Sequence, residues 1–257
     1  MGVDGDWAEV VDQVGLDFEW FKVDGAGVDV QVEIRRAAPD LGAFGDATAA
    51  FVTPRNVVYQ QGERTIVDYR GQAVSVLDRP ASQLVVTGEN DHLVHEAAYH
   101  FVLSRAGEHL DRIGRPRLHA LALSAHGGGA VAVLLPSGGG KSTLALQALN
   151  TPGVRLLSED SPLMDRQGRL HPFPLRIGIN ATDAERAPAG AVRRLERMEL
   201  HPKLALEVAS FADRVEAEPQ PLRHLVIGRR SLASHARLEP GSRRSAAGTL
   251  VREAVVG

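Results

Sequence analysis

Residues 130–143 read AVAVLLPSGGGKST, and the order within this stretch decides how the rest of the chain is read. Ala130 to Leu135 is a short continuous apolar run, the pattern of a buried strand. It feeds directly into Pro136-Ser137-Gly138-Gly139-Gly140-Lys141-Ser142-Thr143, after which Leu144, Leu146 and Leu149 recur at helical spacing. Thr151-Pro152-Gly153 predicts the helix end. Val154 to Leu157 is a second apolar run that leads straight into Ser158-Glu159-Asp160. Strand, glycine loop, helix, strand and acids is the order of a phosphate-binding α/β core.

The chemistry follows from the residue types. Phosphate oxygens are gripped best by consecutive backbone N–H groups at a helix start, and glycines let that backbone come close. A lysine after the last glycine reaches the β- and γ-phosphates, and the next hydroxyl helps to hold Mg²⁺. Gly140, Lys141 and Ser142 supply those roles in that order, and Glu159-Asp160 supply acid at a strand end to complete the Mg²⁺ shell. The strict G-x-x-x-x-G-K-[ST] pattern would place a glycine at position 135, where Leu135 stands. Only three of the 29 basic residues are lysines (Lys22, Lys141 and Lys203), and one of them lies in this loop.

Outward from this stretch the chain divides into three. Residues 1–90 read as a β-rich N-terminal part: a short helix from Trp7 to Val14, then alternation over Val28 to Ile34. Val57 to Tyr59 and Thr65 to Tyr69 flank a Gln60-Gln61-Gly62-Glu63 turn, followed by strands over Ala73 to Leu77 and Gln83 to Thr87. Residues 91–114 predict a connecting helix, with Leu93, Ala97 and Phe101 on one stripe, Asn90 or Asp91 as N-cap and Gly114 as the stop. Residues 115–257 hold the phosphate-binding core. Ala120 to Ser124 is a strand ahead of a His126-Gly127-Gly128-Gly129 loop, and Leu225 to Gly228 is one more strand. The tail after Glu239, set apart by Pro240-Gly241-Ser242, is expected to be partly mobile.

Composition narrows the function classes. The chain has 257 residues, 44% hydrophobic and 24% charged, with a net charge of −3. This is the mixture of a globular protein and gives no electrostatic reason to bind nucleic acid or an anionic membrane. The absence of cysteine removes disulfides, thiolate metal sites and cysteine nucleophiles. No basic-then-apolar leader and no membrane-length apolar run is present, so the expected location is cytoplasmic. His126 to Gly129 resembles an esterase oxyanion loop, but no G-x-S-x-G elbow accompanies it. His92, His95, Glu96 and His100 miss the H-E-x-x-H metal pattern because Tyr99 occupies its last position, and they read as surface or interface histidines. Arg193 to Arg197 and Lys203 read as a solvated helix face, in preference to a lining of the acceptor side.

The segment from His119 to Asn180 resembles the kinase core of HPr kinase/phosphorylase and its shorter HPr kinase-like relatives, which share a nucleotide fold with phosphoenolpyruvate carboxykinase. A histidine on an upstream strand (His119), the glycine loop (Ser137 to Ser142) and an acidic strand end (Leu156 to Asp160) follow the family order. His171-Pro172-Phe173-Pro174-Leu175-Arg176-Ile177-Gly178-Ile179-Asn180 is similar to a Phe-Pro-Arg-Pro-type segment of the relatives. The Glu-Asp pair in place of Asp-Asp, and Thr143 in place of glutamate, point to those relatives. The resemblance implies an α/β P-loop kinase core, a mixed sheet with flanking helices.

It also implies transfer of a γ-phosphoryl group from Mg²⁺·ATP to a hydroxyl, in a peptide or protein partner or in peptide tailoring. Ser137, Gly138, Gly139, Gly140, Lys141, Ser142 and Thr143 would bind the nucleotide. Ser142 and one acid of Glu159 and Asp160 would hold Mg²⁺ while the other takes the acceptor's proton. Asp160 is taken as base and Glu159 as metal partner, although adjacent carboxylates are not distinguished by sequence. His119 would neighbour the transferring group and Arg176 would reach a phosphate. A nucleotide-binding regulatory module and a carboxykinase-like small-molecule enzyme are the alternative readings. Self-association, common in that family, is a further expectation, with the helix from Asp91 as a surface.

Overall fold

Residues from Val57 to Gly88 build a meander that is antiparallel throughout, most regularly alternating over Gln83–Gly88, where Leu84, Val86 and Gly88 are buried. The structure, a computed structural model, describes residues 1–25, 27–125, 128–136, 138–187, 192–196, 203–229 and 237–255. The chain falls into two units, Met1–Leu103 with Arg194–Lys203 and Ser104–Arg193 with Leu204–Gly257. Both mix α and β, with strands predominating.

In the first unit, β1 (Gly2–Gly5), α1 (Ala8–Asp17) and β2 (Gln31–Arg36) precede the meander of β3 (Thr48–Val52), β4 (Val57–Gln61), β5 (Arg64–Asp68), β6 (Ala73–Asp78) and β7 (Gln83–Gly88). The seven strands lie in the order β1-β2-β7-β6-β5-β4-β3. β2 runs parallel to both β1 and β7, so the sheet is mixed. Helix α2 (Asp91–Arg112) follows β7, and the boundary between units falls within it. Trp7, Val10 and Val14 share a core with Val32, Ile34, Val86, Leu93, Val94 and Ala98. Its start carries the expected cap, Leu93 N donating to Asn90 Oδ1 at 3.1 Å. At its end Gly114 adopts φ 75° and Arg115 N donates to Leu110 O at 2.8 Å.

His95 corrects the reading of the α2 histidines as surface residues. It is 3% exposed, because its ring points inward to Asp17 at the end of α1, 2.7 Å away. β1 escaped the sequence reading because four residues containing two glycines carry no visible alternation.

The second unit contains β8 (Arg117–Leu118), β9 (Leu121–Ala125), β10 (Ala130–Leu134), α3 (Lys141–Leu149), β11 (Val154–Ser158), β12 (Leu163–Met164), β13 (Arg169–His171) and β14 (Ile177–Ile179). They are followed by β15 (Val192–Leu195) and β16 (Lys203–Leu206), within each of which a boundary between the units falls, and by β17 (Gln220–Ile227), α4 (Arg243–Arg252) and β18 (Ala254–Val255). Eight of the strands form a mixed sheet in the order β11-β9-β10-β17-β13-β12-β8-β18. β9 pairs antiparallel with both β10 and β11, so those two strands share a direction with β9 between them; β17 lies parallel to β10. A second sheet holds β14, β16 and β15. Val192 to Leu195 and Lys203 therefore lie in strands; the solvated helix face expected there is absent, and Arg197 lies outside the described residues. Within the segment after Glu239, Arg243–Arg252 form α4 and Ala254–Val255 form β18, elements the sequence pattern had not revealed. Among the described residues no helix is long and apolar enough to cross a membrane.

Candidate functional site

Three chain segments meet at the start of α3. β10 delivers the glycine loop, in which Gly139 N donates to Pro136 O at 2.8 Å to close a tight turn. A Cβ at Gly139 would stand 2.7 Å from that same carbonyl, so no other residue fits there. Gly140 takes φ 96° and ψ 18°, the left-handed region, and is the N-cap of α3. It carries no side chain to cap the helix, and the first N–H groups of α3 lack carbonyl partners within the helix. Leu135, in place of the expected glycine, packs on Gly228 after β17; a Cβ there would meet Leu135 Cδ2 at 2.0 Å. Its carbonyl faces the loop and accepts from Lys141 Nζ at 3.2 Å. The departure from the strict pattern thus fills the wall behind the loop. Ser137 lies outside the described residues, as do His126 and Gly127.

Lys141 opens α3, yet its side chain is only 9% exposed. Its ammonium group contacts His119 Nε2 at 2.8 Å and lies 3.7 Å from Asp160 Oδ1. His119 Nδ1 lies 3.1 Å from the same Asp160 oxygen. An ammonium group only donates, so Nε2 must accept and the imidazole proton belongs on Nδ1, facing Asp160. The Asp160 hydrogen bond raises the His119 imidazole above its ordinary value, against burial and the Lys141 charge. Burial alone would raise the Asp160 carboxyl. The His119 hydrogen bond and the charges of His119 and Lys141 outweigh it and hold the group below the usual carboxylate range.

Glu159 and Asp160, adjacent in sequence, separate in space. A register shift in β11 between Leu156 and Ser158 turns the strand end. Ser161 N then donates to Ser158 Oγ at 3.0 Å and fixes the turn that carries both acids. Glu159 Oε1 accepts from Ser142 Oγ at 2.7 Å, while Asp160 faces His119. Thr143 Oγ1 donates to Asp183 Oδ2 at 3.3 Å, and Asp183 also pairs with Arg186. Arg176 is half-buried one residue before β14, a strand that lies against α3.

The Ser142 hydroxyl and the Glu159 carboxylate suit Mg²⁺, which takes one or two protein oxygens and completes its octahedron with waters and substrate phosphates. No group of three or more His, Asp or Glu side chains arranged to hold a metal occurs among the described residues. A phosphate-dependent magnesium site does not need one.

Sequence reasoning missed three contributors. The Leu135 carbonyl and the Glu253 carbonyl, which accepts from His119 N at 2.7 Å, are backbone groups without a side-chain signature. Asp183 lies 40 residues beyond Thr143, and no spacing rule connects them. No protein-family model matches the chain, and no curated protein matches it significantly.

Proposed function

We propose that the protein is a Mg²⁺·ATP-dependent phosphotransferase that moves the γ-phosphoryl group to a hydroxyl, of the serine type, in a peptide or protein. One observation supports this reading above the others. The uncapped start of α3, the buried Lys141 ammonium, the Ser142–Glu159 pair and the His119–Asp160 pair converge at the end of β11. Lys141 exchanges the Leu135 carbonyl and His119 for phosphate oxygens, while the N–H groups of the loop and of α3 grip the remainder. Ser142 and Glu159 hold Mg²⁺, which when bound neutralises phosphate charge. Asp160, ionised at neutral pH, accepts the proton of the acceptor hydroxyl. The hydroxyl oxygen forms its bond to phosphorus as the bridging bond breaks, and ADP leaves. His119 donates Nδ1–H to Asp160 and so orients it.

Thermal unfolding of the wild type and Lys141→Ala with ATP, with and without Mg²⁺, tests the site. A ligand at 100 times its Kd stabilises by about 2.7 kcal/mol, which for a chain of this size is roughly 5 to 10 °C. The expected result is a Mg²⁺-dependent shift that the variant loses, together with labelled phosphate appearing on a hydroxyl-bearing peptide. No shift in the wild type sinks the proposal. A shift without transfer to any hydroxyl acceptor converts the protein into a nucleotide-binding regulatory module.

A further inference from the structure

His119 belongs to neither β8 nor β9 but to the short joint between them, where regular pairing does not fix it. Within the joint Ala120 N donates to Leu118 O at 2.9 Å, and two further backbone bonds tie it to its neighbours. Ala120 N donates to Asp160 O at 3.2 Å, which ties it to the acidic turn. On the other side His119 N donates to Glu253 O at 2.7 Å. That second bond is the first rung of a ladder: β18 pairs antiparallel with β8, Ala254 opposite Leu118 and Val255 opposite Arg117. β8 is only two residues long, and its strand pairing on the other side is Arg117 opposite Leu163.

The segment that bears β18 is itself anchored. Glu253 N donates to Thr249 O at 3.0 Å, and Thr249 is buried. Leu250 and Ala254 pack on the core that contains Leu118, Ala120 and Leu157. The negative charge of Glu253 also acts on the His119 ring.

We infer that Glu253–Val255 is a positioning segment for phosphoryl transfer: by pairing with β8 and receiving the His119 amide, it fixes the imidazole against Asp160. The inference rests on the phosphotransferase reading of the site. Its physical basis is that displacement of a catalytic group by about 1 Å costs about 10²-fold in rate. The glycine loop, Lys141 and the Ser142–Glu159 pair are held by β10, α3 and β11, so nucleotide binding does not depend on β18.

Three variants test it: a chain ending at Arg252, the full-length Val255→Pro, which removes a pairing donor from β18, and the full-length Glu253→Gln, which keeps every backbone bond. In the first two, the His119 amide is expected to exchange at least about 10-fold faster. The imidazole ¹⁵N shifts should lose the signature of a fixed Nδ1–H tautomer. With a hydroxyl-bearing peptide, kcat should fall about 10- to 100-fold while KM for Mg²⁺·ATP stays within about threefold. Glu253→Gln should retain the slow His119 amide exchange and the fixed Nδ1–H signature, while the loss of its charge lowers the titration of the His119 imidazole.

Unchanged amide exchange and imidazole shifts in both the shortened chain and Val255→Pro overturn the inference. So does a rise in KM with kcat preserved, which would place the segment at the nucleotide instead. If the wild type neither binds Mg²⁺·ATP nor transfers phosphate, the phosphotransferase reading fails by itself. Exchange and imidazole shifts then still decide whether β18 positions His119.

Discussion

Each unit of the chain holds a histidine bound to an aspartate, and the two contacts differ in what surrounds them. His95–Asp17 measures 2.7 Å, with side chains 4% and 0% exposed. It joins α2 to α1 beneath Tyr99, whose ring stacks on Phe18 at 5.4 Å. His119–Asp160 measures 3.1 Å, with side chains 35% and 49% exposed, and it meets a lysine at the mouth of a glycine loop. A sealed pair is inaccessible to any substrate and acts as a clip between helices. A half-open pair beside a glycine loop has polarised groups within reach of a ligand. The same two residue types therefore carry structure in one unit and candidate chemistry in the other, and solvent access separates them.

The sharpest way to break this comparison is to make the same substitution in both pairs. Asp160→Ala is expected to lower phosphoryl transfer about 10²- to 10⁴-fold while the melting profile stays near that of the wild type, because the carboxylate is half solvated. Asp17→Ala leaves His95 buried without its carboxylate and should destabilise the first unit by about 3 to 5 kcal/mol. Turnover per folded molecule should be unchanged. Steady-state transfer assays and calorimetry on both variants read out the crossing. If Asp160→Ala unfolds the protein and Asp17→Ala abolishes turnover of folded molecules, the assignment of roles is reversed.

A third contact, His171–Asp165, tests whether burial alone makes such a pair structural. It lies in the second unit at 2.8 Å, with side chains 9% and 7% exposed. Burial would raise the Asp165 carboxyl, but His171, the Arg169 N–H and guanidinium and the Gln167 N–H together hold it well below the carboxylate range. The sign follows from linkage. The folded value lies below the unfolded one, so the stabilisation is complete above the unfolded value and is lost as pH falls towards the folded one. Denaturant titrations should show wild-type stability falling between roughly pH 5 and pH 2. Asp165→Asn should be less stable at neutral pH and show a flatter profile, the two curves converging at the acid end. Parallel curves would mean that the carboxylate's charge contributes nothing.

Local patterning made much of this legible, and through-space geometry did not. The meander from Val57 to Gly88, helix α2 with its Asn90 cap, and the order of strand, glycine loop, helix and acids were all written as periodicity or punctuation. Lys141, Ser142, Glu159, Asp160 and His119 lie within contact of one another in pairs, the loop and strand end having pointed to the first four and the resemblance to the last. The different partners of Glu159 and Asp160, Ser142 and His119, were not readable, since they depend on how the chain turns at the end of β11. The burial of His95 was hidden as well. One turn of α2 holds His92 and His95, and only the partner on α1 distinguishes the exposed ring from the buried one. β18 carries no signal because a two-residue strand has no period.

The smallest expected effect sharpens the structural side of the comparison. Asn90 caps α2 five residues before His95, receiving Leu93 N on its side chain and Val94 N on its carbonyl at 3.1 Å each. Asn90→Ala should cost about 1 kcal/mol, with Asn90→Asp recovering most of it and transfer unaffected by either. The informative quantity is its coupling to Asp17→Ala. If the cap holds the first turn in the position from which His95 reaches Asp17, frayed residues should already have weakened the clip. The double variant should then lose less than the sum, by about 0.5 kcal/mol. Strict additivity would mean that the packing of Leu93, Val94 and Ala97 places His95 by itself, with the cap contributing only to the helix end.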